Sequence, residues 1–420
     1  MLRGDRDAGV DVDPAVPLHP LILLEMLHCL LGGARQRALL EATLPQLLPM
    51  VEWLPGRHVV LALLLKTPRE WQLRTVAEAG LLPLLCESAA AVQLLGGGPR
   101  TGRGGGPTMA AAEATLVSAA AESALELLLA VAEDAPALQA DLAAAGGVAA
   151  AAALLRSDAA GGGRSGFLYR AQSARVIIAS LVGTGPSGAR SLDRRRAMED
   201  RRDWVCAEPG LLADLVRMLT REGDDDTRRG DFSLLLQRVT LGWSVTRTRQ
   251  RCRRAVLAGA TAPLIELLRS SDAHARTSAE SVLGQLIIGR TYGPDGLLTS
   301  DSVRPYCSKG AIPELLAAGV APRLLALFSD RRESVRAQSL VLTAFLAQGG
   351  DAACAAILDA PGAAAAFAAV LASRGSSSHA RGCASDSYNV VHRSIMPCFA
   401  AAHCRLSEAQ NEVVDAIFAL

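Results

Sequence analysis

Five arginines crowd one short stretch of this 420-residue chain: Arg247, Arg249, Arg251, Arg253 and Arg254. On a helix, Arg247, Arg251 and Arg254 share a face, where like charges repel. With Arg194, Arg195, Arg196, Arg201 and Arg202, they leave residues 190–254 with 16 Arg against 11 acidic groups. Such a surface has the chemistry to dock an acidic protein tail, a phosphorylated segment or RNA. The other reading is a solvated ridge paired with Asp224, Asp225 and Asp226, the usual fate of a charge run.

Other reactive-looking groups fail on spacing. Gly183-Thr184-Gly185-Pro186-Ser187-Gly188 fits G-x-G-x-x-G, but a dinucleotide fold needs a strand before it and a βαβ unit around it. Here the preceding Tyr169–Val182 reads as a long helix, and Pro186 removes one amide from the would-be phosphate cradle. The stretch is read as a glycine-rich helix terminus. His379, Cys383, His392, Cys398, His403 and Cys404 gather near the C-terminus without any zinc-ligand spacing, so no metal site is predicted. No G-x-S-x-G and no H-E-x-x-H occurs, and no nucleophile-plus-base set can be assembled. The expectation is a protein without catalytic activity, cofactor or metal.

These groups need elements to position them, and composition says what those are. Half of the residues are apolar, a fifth are charged and 4% are aromatic. Ala and Leu dominate, which favours helices over strands. Net charge is +1, so nucleic acid is not an expected partner on global charge. The nine cysteines are scattered without C-x-x-C, as buried thiols of a reducing compartment are. Asp5, Asp7, Asp11 and Asp13 are wrong for a targeting peptide. No apolar run reaches the roughly 18 residues of a membrane span. A cytoplasmic or nuclear protein is expected.

A repeated phrase supplies the architecture. Ala79-Gly80 leads to Pro83, Ala258-Gly259 to Pro263, and Ala318-Gly319 to Pro322, each followed by a Leu-rich helix. Weaker copies start at Gly146, Gly210 and Gly362, with an echo at Gly310-Ala311-Ile312-Pro313. Glycine ends one helix in the left-handed conformation, and proline opens the next where no amide partner is needed. Ala321, Leu324, Leu325 and Phe328 then face inward. Ser270-Ser271-Asp272 and Ser329-Asp330 offer N-cap oxygens to a longer helix. Its apolar stripe is Ala275, Val282, Leu283, Leu286 and Ile287 in one copy, and Ala337, Leu340, Val341, Ala344 and Phe345 in another.

This pattern resembles the armadillo repeat: a short first helix, a second opened by the Ala-Gly-Pro phrase, and a longer third. The resemblance is strong over residues 205–372 and diluted over 20–205. It implies an all-α fold, a right-handed α-solenoid of armadillo-like helical repeats. The organisation expected is a disordered tail at 1–19 and N-terminal helices at 20–182 with a glycine linker at 96–108. A charged loop follows at 183–203, then repeats at 204–373 with an inserted loop at 290–311. A mobile loop at 374–388 and capping helices at 389–420 complete it.

In armadillo proteins the third helices line a concave groove, so the resemblance implies an interaction scaffold for a protein partner. Trp243, placed at the end of a third helix, is then either a peptide anchor or a core residue. Importin-like cargo binding would need Trp and, four residues later, Asn on successive third helices. The aligned pairs here are Ser281/Gln285 and Leu340/Ala344, which depart from it. The candidate partner-binding residues are therefore Arg247, Arg251, Arg254, Trp243, Ser281 and Gln285. The alternatives are a chaperone cofactor, or nucleic-acid or phospho-partner binding through the Arg-rich ridge.

Overall fold

The computed structural model describes residues 44–91 (without 53), 109–157, 163–183, 192–221, 225–289, 310–372 and 394–418. The tail at 1–19, the linker at 96–108, the loop at 374–388 and all but the end of the 290–311 insertion lie outside them. The chain divides into two compact units, residues 1–173 and 174–420. The boundary falls inside a helix, not in the glycine-rich stretch after residue 182.

Unit 1 contains α1 (Leu54–Leu64), α2 (Arg69–Glu78), α3 (Leu82–Ala90), α4 (Met109–Asp134), α5 (Gln139–Ala144) and α6 (Gly147–Arg156). The next helix, α7 (Gly163–Val182), holds the division. Unit 2 continues with α8 (Leu192–Ala207), α9 (Leu211–Thr220), α10 (Asp226–Thr240), α11 (Val245–Leu257), α12 (Thr261–Leu267) and α13 (Ala273–Ile288). It closes with α14 (Ile312–Ala317), α15 (Val320–Ala326), α16 (Glu333–Ala347), α17 (Asp351–Leu358), α18 (Ala363–Ala372), α19 (Met396–Ala402) and α20 (Glu408–Phe418). No β-strand forms among the described residues.

The fold is all-α and armadillo-like, and packing within unit 2 shows why. Like helices stack on like. First helices α8, α11, α14 and α17 form one row, second helices α9, α12, α15 and α18 another, and third helices α10, α13 and α16 a third. A row of this kind requires each repeat to turn the chain at the same place. Gly80, Gly146, Gly210, Gly259, Gly319 and Gly362 do this, with φ between +64° and +94°. The echo at Gly310 is different: there the Ala311 N–H donates to Leu286 C=O at 2.8 Å and leads into the short α14.

At Gly259 a Cβ would meet nothing within 4 Å, yet φ is +90°. Gly259→Ala is therefore a pure backbone perturbation, and should destabilise unit 2 by about 1–2 kcal/mol. Gly259→Asn should recover part of that in urea titrations, because Asn tolerates the left-handed region better.

The third helices also share a start. Asp225 caps α10 by accepting from Thr227 N–H at 3.0 Å, and Asp272 caps α13 by accepting from Ala275 N–H at 2.8 Å. Four residues after the cap of α13, Arg276 donates to the carbonyls of Ser270 and Ser271, both at 2.9 Å. Arg336 repeats this on α16, reaching Asp330 C=O at 2.8 Å and Arg331 C=O at 3.2 Å. Arg229 holds the same position in α10. The three arginines fix one register, in which Leu234, Ser281 and Val341 are equivalent, as are Arg238, Gln285 and Phe345.

That register corrects one alignment. Ser281/Gln285 correspond to Val341/Phe345, not to Leu340/Ala344, which are buried. The stripe expected on α16 accordingly splits. Val335, Ser339, Leu342 and Leu346 join Leu340 and Ala344 inside, while Ala337, Val341 and Phe345 are half-exposed. The stripe expected on α13 is buried throughout, as are Ala321, Leu324, Leu325 and Phe328.

A second correction concerns the charged loop at 183–203. From Leu192 onward it is helix α8. Met198, Val205 and Cys206 give it a buried face together with Glu199 and Arg202. Tertiary packing supplies the stability that its polar sequence lacks.

Candidate functional site

The arginine-rich stretch forms α11, and its hydrogen bonds turn inward. Ser244 caps the helix at Arg247 N–H, 3.4 Å away. Arg251 has 1% of its side chain exposed. It donates to Glu199 Oε2 at 2.6 Å, to Asp203 Oδ1 at 2.7 Å and to Leu241 C=O at 3.3 Å. Glu199 in turn accepts from the backbone N–H groups of Trp243 and Ser244 at the start of α11. One buried carboxylate thus neutralises Arg251 and takes up the two amides that lead into α11. Gly242 completes the site, because a Cβ there would lie 2.1 Å from Arg251 Nη2.

Arg247 is on the outer rim of this clamp, 2.6 Å from Asp200 and 3.2 Å from Asp203. The hydrogen bond to Asp200 raises its pKa further. Arg253 pairs with Glu314, and Arg254 is exposed on the surface of α11. The carboxylates that serve this stretch are therefore Glu199, Asp200 and Asp203 of α8 and Glu314 of α14. Asp225 and Asp226 belong to the start of α10, where Ser270 and Arg229 hold the Asp226 carboxyl below its usual pKa. Asp224 lies outside the described residues.

Three of the sequence-derived candidates move accordingly. Arg251 is a buried structural residue and presents nothing to a partner. Trp243 is not on a third helix, because α10 stops at Thr240. It sits instead beneath the buried Arg202, whose guanidinium carbon is 5.1 Å from the ring centre. Gln285 is 1% exposed and lies beside Cys252, which donates to its backbone carbonyl at 3.6 Å. Ser281 remains half-exposed and accepts from Gln237 Nε2 at 2.5 Å. Arg247 and Arg254 remain at the surface.

One signal in the sequence pointed to Arg251. It stands among Thr248, Cys252, Ala255 and Val256, the inward stripe of α11. Its partner Glu199 is 52 residues away, and only the packing of α8 on α11 brings the two together.

The third-helix layer presents the more open surface. Along α10, α13 and α16 the equivalent positions Leu234, Ser281 and Val341 are half-exposed. Arg238 and Phe345 flank them, half-exposed as well. Towards the helix starts, Asp231 lies 3.4 Å from Arg175 and 3.2 Å from His274. The resulting surface mixes apolar side chains (Leu234, Val341, Phe345) with polar and charged ones (Ser281, Arg238, Asp231), which is what an extended or helical protein segment can complement.

The remaining sequence candidates resolve as follows. Gly183 ends α7 with φ +76°, and residues 184–188 lie outside the described part. So do His379, Cys383 and His392. Cys398 donates to Ser394 C=O at 3.1 Å, and His403 lies 3.9 Å from Asp415. Among the described residues no three His, Cys, Asp or Glu side chains gather around a common point. Burial pushes the thiols of Cys86, Cys206, Cys252 and Cys354 up to about 12, far from the range of a nucleophilic thiolate.

No protein-family model matches the chain, and no curated protein matches it. Among solved structures it is similar to computationally designed armadillo repeat proteins for modular peptide recognition, at 16% identity and a TM-score of 0.43. That match covers 74% of this chain and 99% of the other. It is also similar to a designed armadillo repeat protein in complex with the peptide (KR)4, at 15% identity and a TM-score of 0.41. Here the coverage is 73% of this chain and 98% of that one. An engineered protein matches over 89% of this chain and 93% of its own, at 17% identity and a TM-score of 0.33. These are resemblances of fold. Among the described residues no single helix is long and apolar enough to cross a membrane.

Proposed function

We propose that this protein is a non-catalytic scaffold that binds a protein segment across the third helices α10, α13 and α16. One observation carries the reading. Helices α10, α13 and α16 stack in one row, Arg229, Arg276 and Arg336 stand at equivalent positions near their starts, and the level five residues on, at Leu234, Ser281 and Val341, is left half-exposed. Repeat proteins use such a row as a continuous binding surface, because equivalent positions on successive repeats are evenly spaced. The buried, protonated thiols and the internal pairing of Arg251 with Glu199 support a structural rather than a chemical use of the reactive side chains.

The test is selection of a displayed random-peptide library on the immobilised full chain. Enriched peptides are expected to lose affinity at least tenfold with Val341→Arg, through a desolvated charge in the row. They should be unaffected by Arg254→Glu on α11. The absence of enrichment, or peptides indifferent to Val341→Arg in a variant with unchanged thermal unfolding, would sink the proposal.

A further inference from the structure

An open cleft of about 390 Å³ lies where the repeat containing α12 meets the one containing α15. It is lined by Arg269, Ala326, Ser329, Asp330, Arg331 and Arg332. Three guanidinium groups thus face one carboxylate. Asp330 is directed at Arg332, accepting from its backbone N–H at 2.9 Å and from its Nε at 3.3 Å. Burial works against ionisation of Asp330, but the Arg332 hydrogen bonds and the charges of Arg332 and Arg269 outweigh it and hold its pKa low. Arg332 is further fixed by donating to Ser270 C=O at 2.8 Å, across the repeat boundary. Among the described residues, the one ion pair of Arg269 is a loose one with Glu266, at 3.8 Å, and both side chains are exposed. Arg331 is exposed and makes no ion pair among the described residues.

The repeat scaffold does not require this charge. Where the preceding repeat places Ser271 and Asp272, this one places Arg331 and Arg332. Asp272 serves its helix as a cap, whereas the Arg332 side chain makes no cap bond to α16. Placing Arg at the capping position forgoes the stabilisation that a capping side chain gives its helix. The substitution concentrates positive charge at this one junction. The carbonyls of Asp330 and Arg331, which would repel an anion, are already taken by Arg336.

We propose that this cleft binds a phosphate monoester carried on a protein side chain, with Arg269 and Arg331 as the principal ligands and Arg332 and the Ser329 hydroxyl at its edge. The excess of guanidinium over carboxylate matches a group of charge about −2. Paired N–H donors of arginine suit tetrahedral oxyanions. A polyanion is disfavoured by the chain's net charge of +1 and by Asp330 in the cleft. This inference is independent of the groove, and Val341→Arg should leave it untouched.

Equilibrium dialysis of the full chain with N-acetyl-phosphoserine amide provides the test. Saturable binding is expected, competed by inorganic phosphate but not by N-acetyl-serine amide or N-acetyl-glutamate amide. Affinity should fall roughly tenfold for each guanidinium removed, in Arg269→Ala, Arg331→Ala and their combination. Arg331→Lys should weaken binding less than Arg331→Ala. Both side chains are exposed, so thermal unfolding of the variants should match the parent; if the double variant unfolds early, the single Arg331→Ala decides. Non-saturable binding, binding indifferent to these substitutions, or preferential binding of phosphatidylcholine vesicles carrying phosphatidic acid would overturn the proposal.

Discussion

Arg251→Ala is expected to lower the stability of unit 2 by about 3–5 kcal/mol, the usual effect of removing one partner from a buried ion pair. The side chain of Glu199 is 6% exposed and faces Arg251 at 2.6 Å. Without Arg251 its charge stays in a site closed to water, held only by the amides of Trp243 and Ser244. Asp203, 35% exposed, can turn to solvent, which limits the damage on that side. Arg247→Ala removes pairs whose side chains are 35–48% exposed and should change stability by no more than about 1 kcal/mol. Hydrogen exchange read peptide by peptide separates the two: Arg251→Ala should speed exchange throughout α8 and α11, and Arg247→Ala should not. A double variant, Glu199→Gln with Arg251→Met, should regain most of the loss, since a neutral pair of similar volume avoids the stranded charge. Equal effects of Arg251→Ala and Arg247→Ala would refute the clamp. Charge reversal at Arg251 would unfold this region before it tested any partner, so a surface test belongs at Arg254.

Phe367→Ala should cost a further part of unit 2 about 3–5 kcal/mol. Phe367 on α18 is fully buried between Phe328 and Phe399. Its ring meets Phe328 edge-on at 5.4 Å and 82°, and Phe399 at 5.9 Å and 86°. The three rings tie the turn that follows α15 to α18 and α19. The last helices have few other large buried side chains, because α18 is otherwise mostly alanine. Removing the middle ring deletes both edge contacts and leaves a cavity that small neighbours cannot fill. Protease digestion should then release the segment from α18 onward at urea concentrations where α10–α13 remain protected. Cleavage spread evenly over the unit would show that the aromatic contacts are not local in their effect.

Much of the fold was legible because it rests on local chemistry. The Ala-Gly-Pro phrase marks helix ends and starts through backbone conformation alone, and all six glycines at 80, 146, 210, 259, 319 and 362 adopt the left-handed turn. Asp272 was readable as a cap because its oxygen serves a helix three residues on. The inward stripes of α13 and α15 follow from helical periodicity.

What the sequence alone determined, then, is the repeat: which residues turn the chain, which begin each helix and which side each short helix buries. Tertiary structure decided what the charged residues do. Periodicity sets Arg251 on the inward stripe of α11, unlike Arg247 and Arg254, but does not say what neutralises it there. In the fold Arg251 faces α8, where Glu199 and Asp203 wait, while Arg254 stays at the surface. The same holds for Trp243, which meets Arg202 only after α8 and α11 pack. It holds also for the cleft at Arg269 and Arg331, whose groups come from consecutive repeats. Helix ends are set by bonds between residues a few positions apart. The environment of a charge is set by side chains dozens of residues away, and burial decides whether that charge is a strut or an exposed ligand.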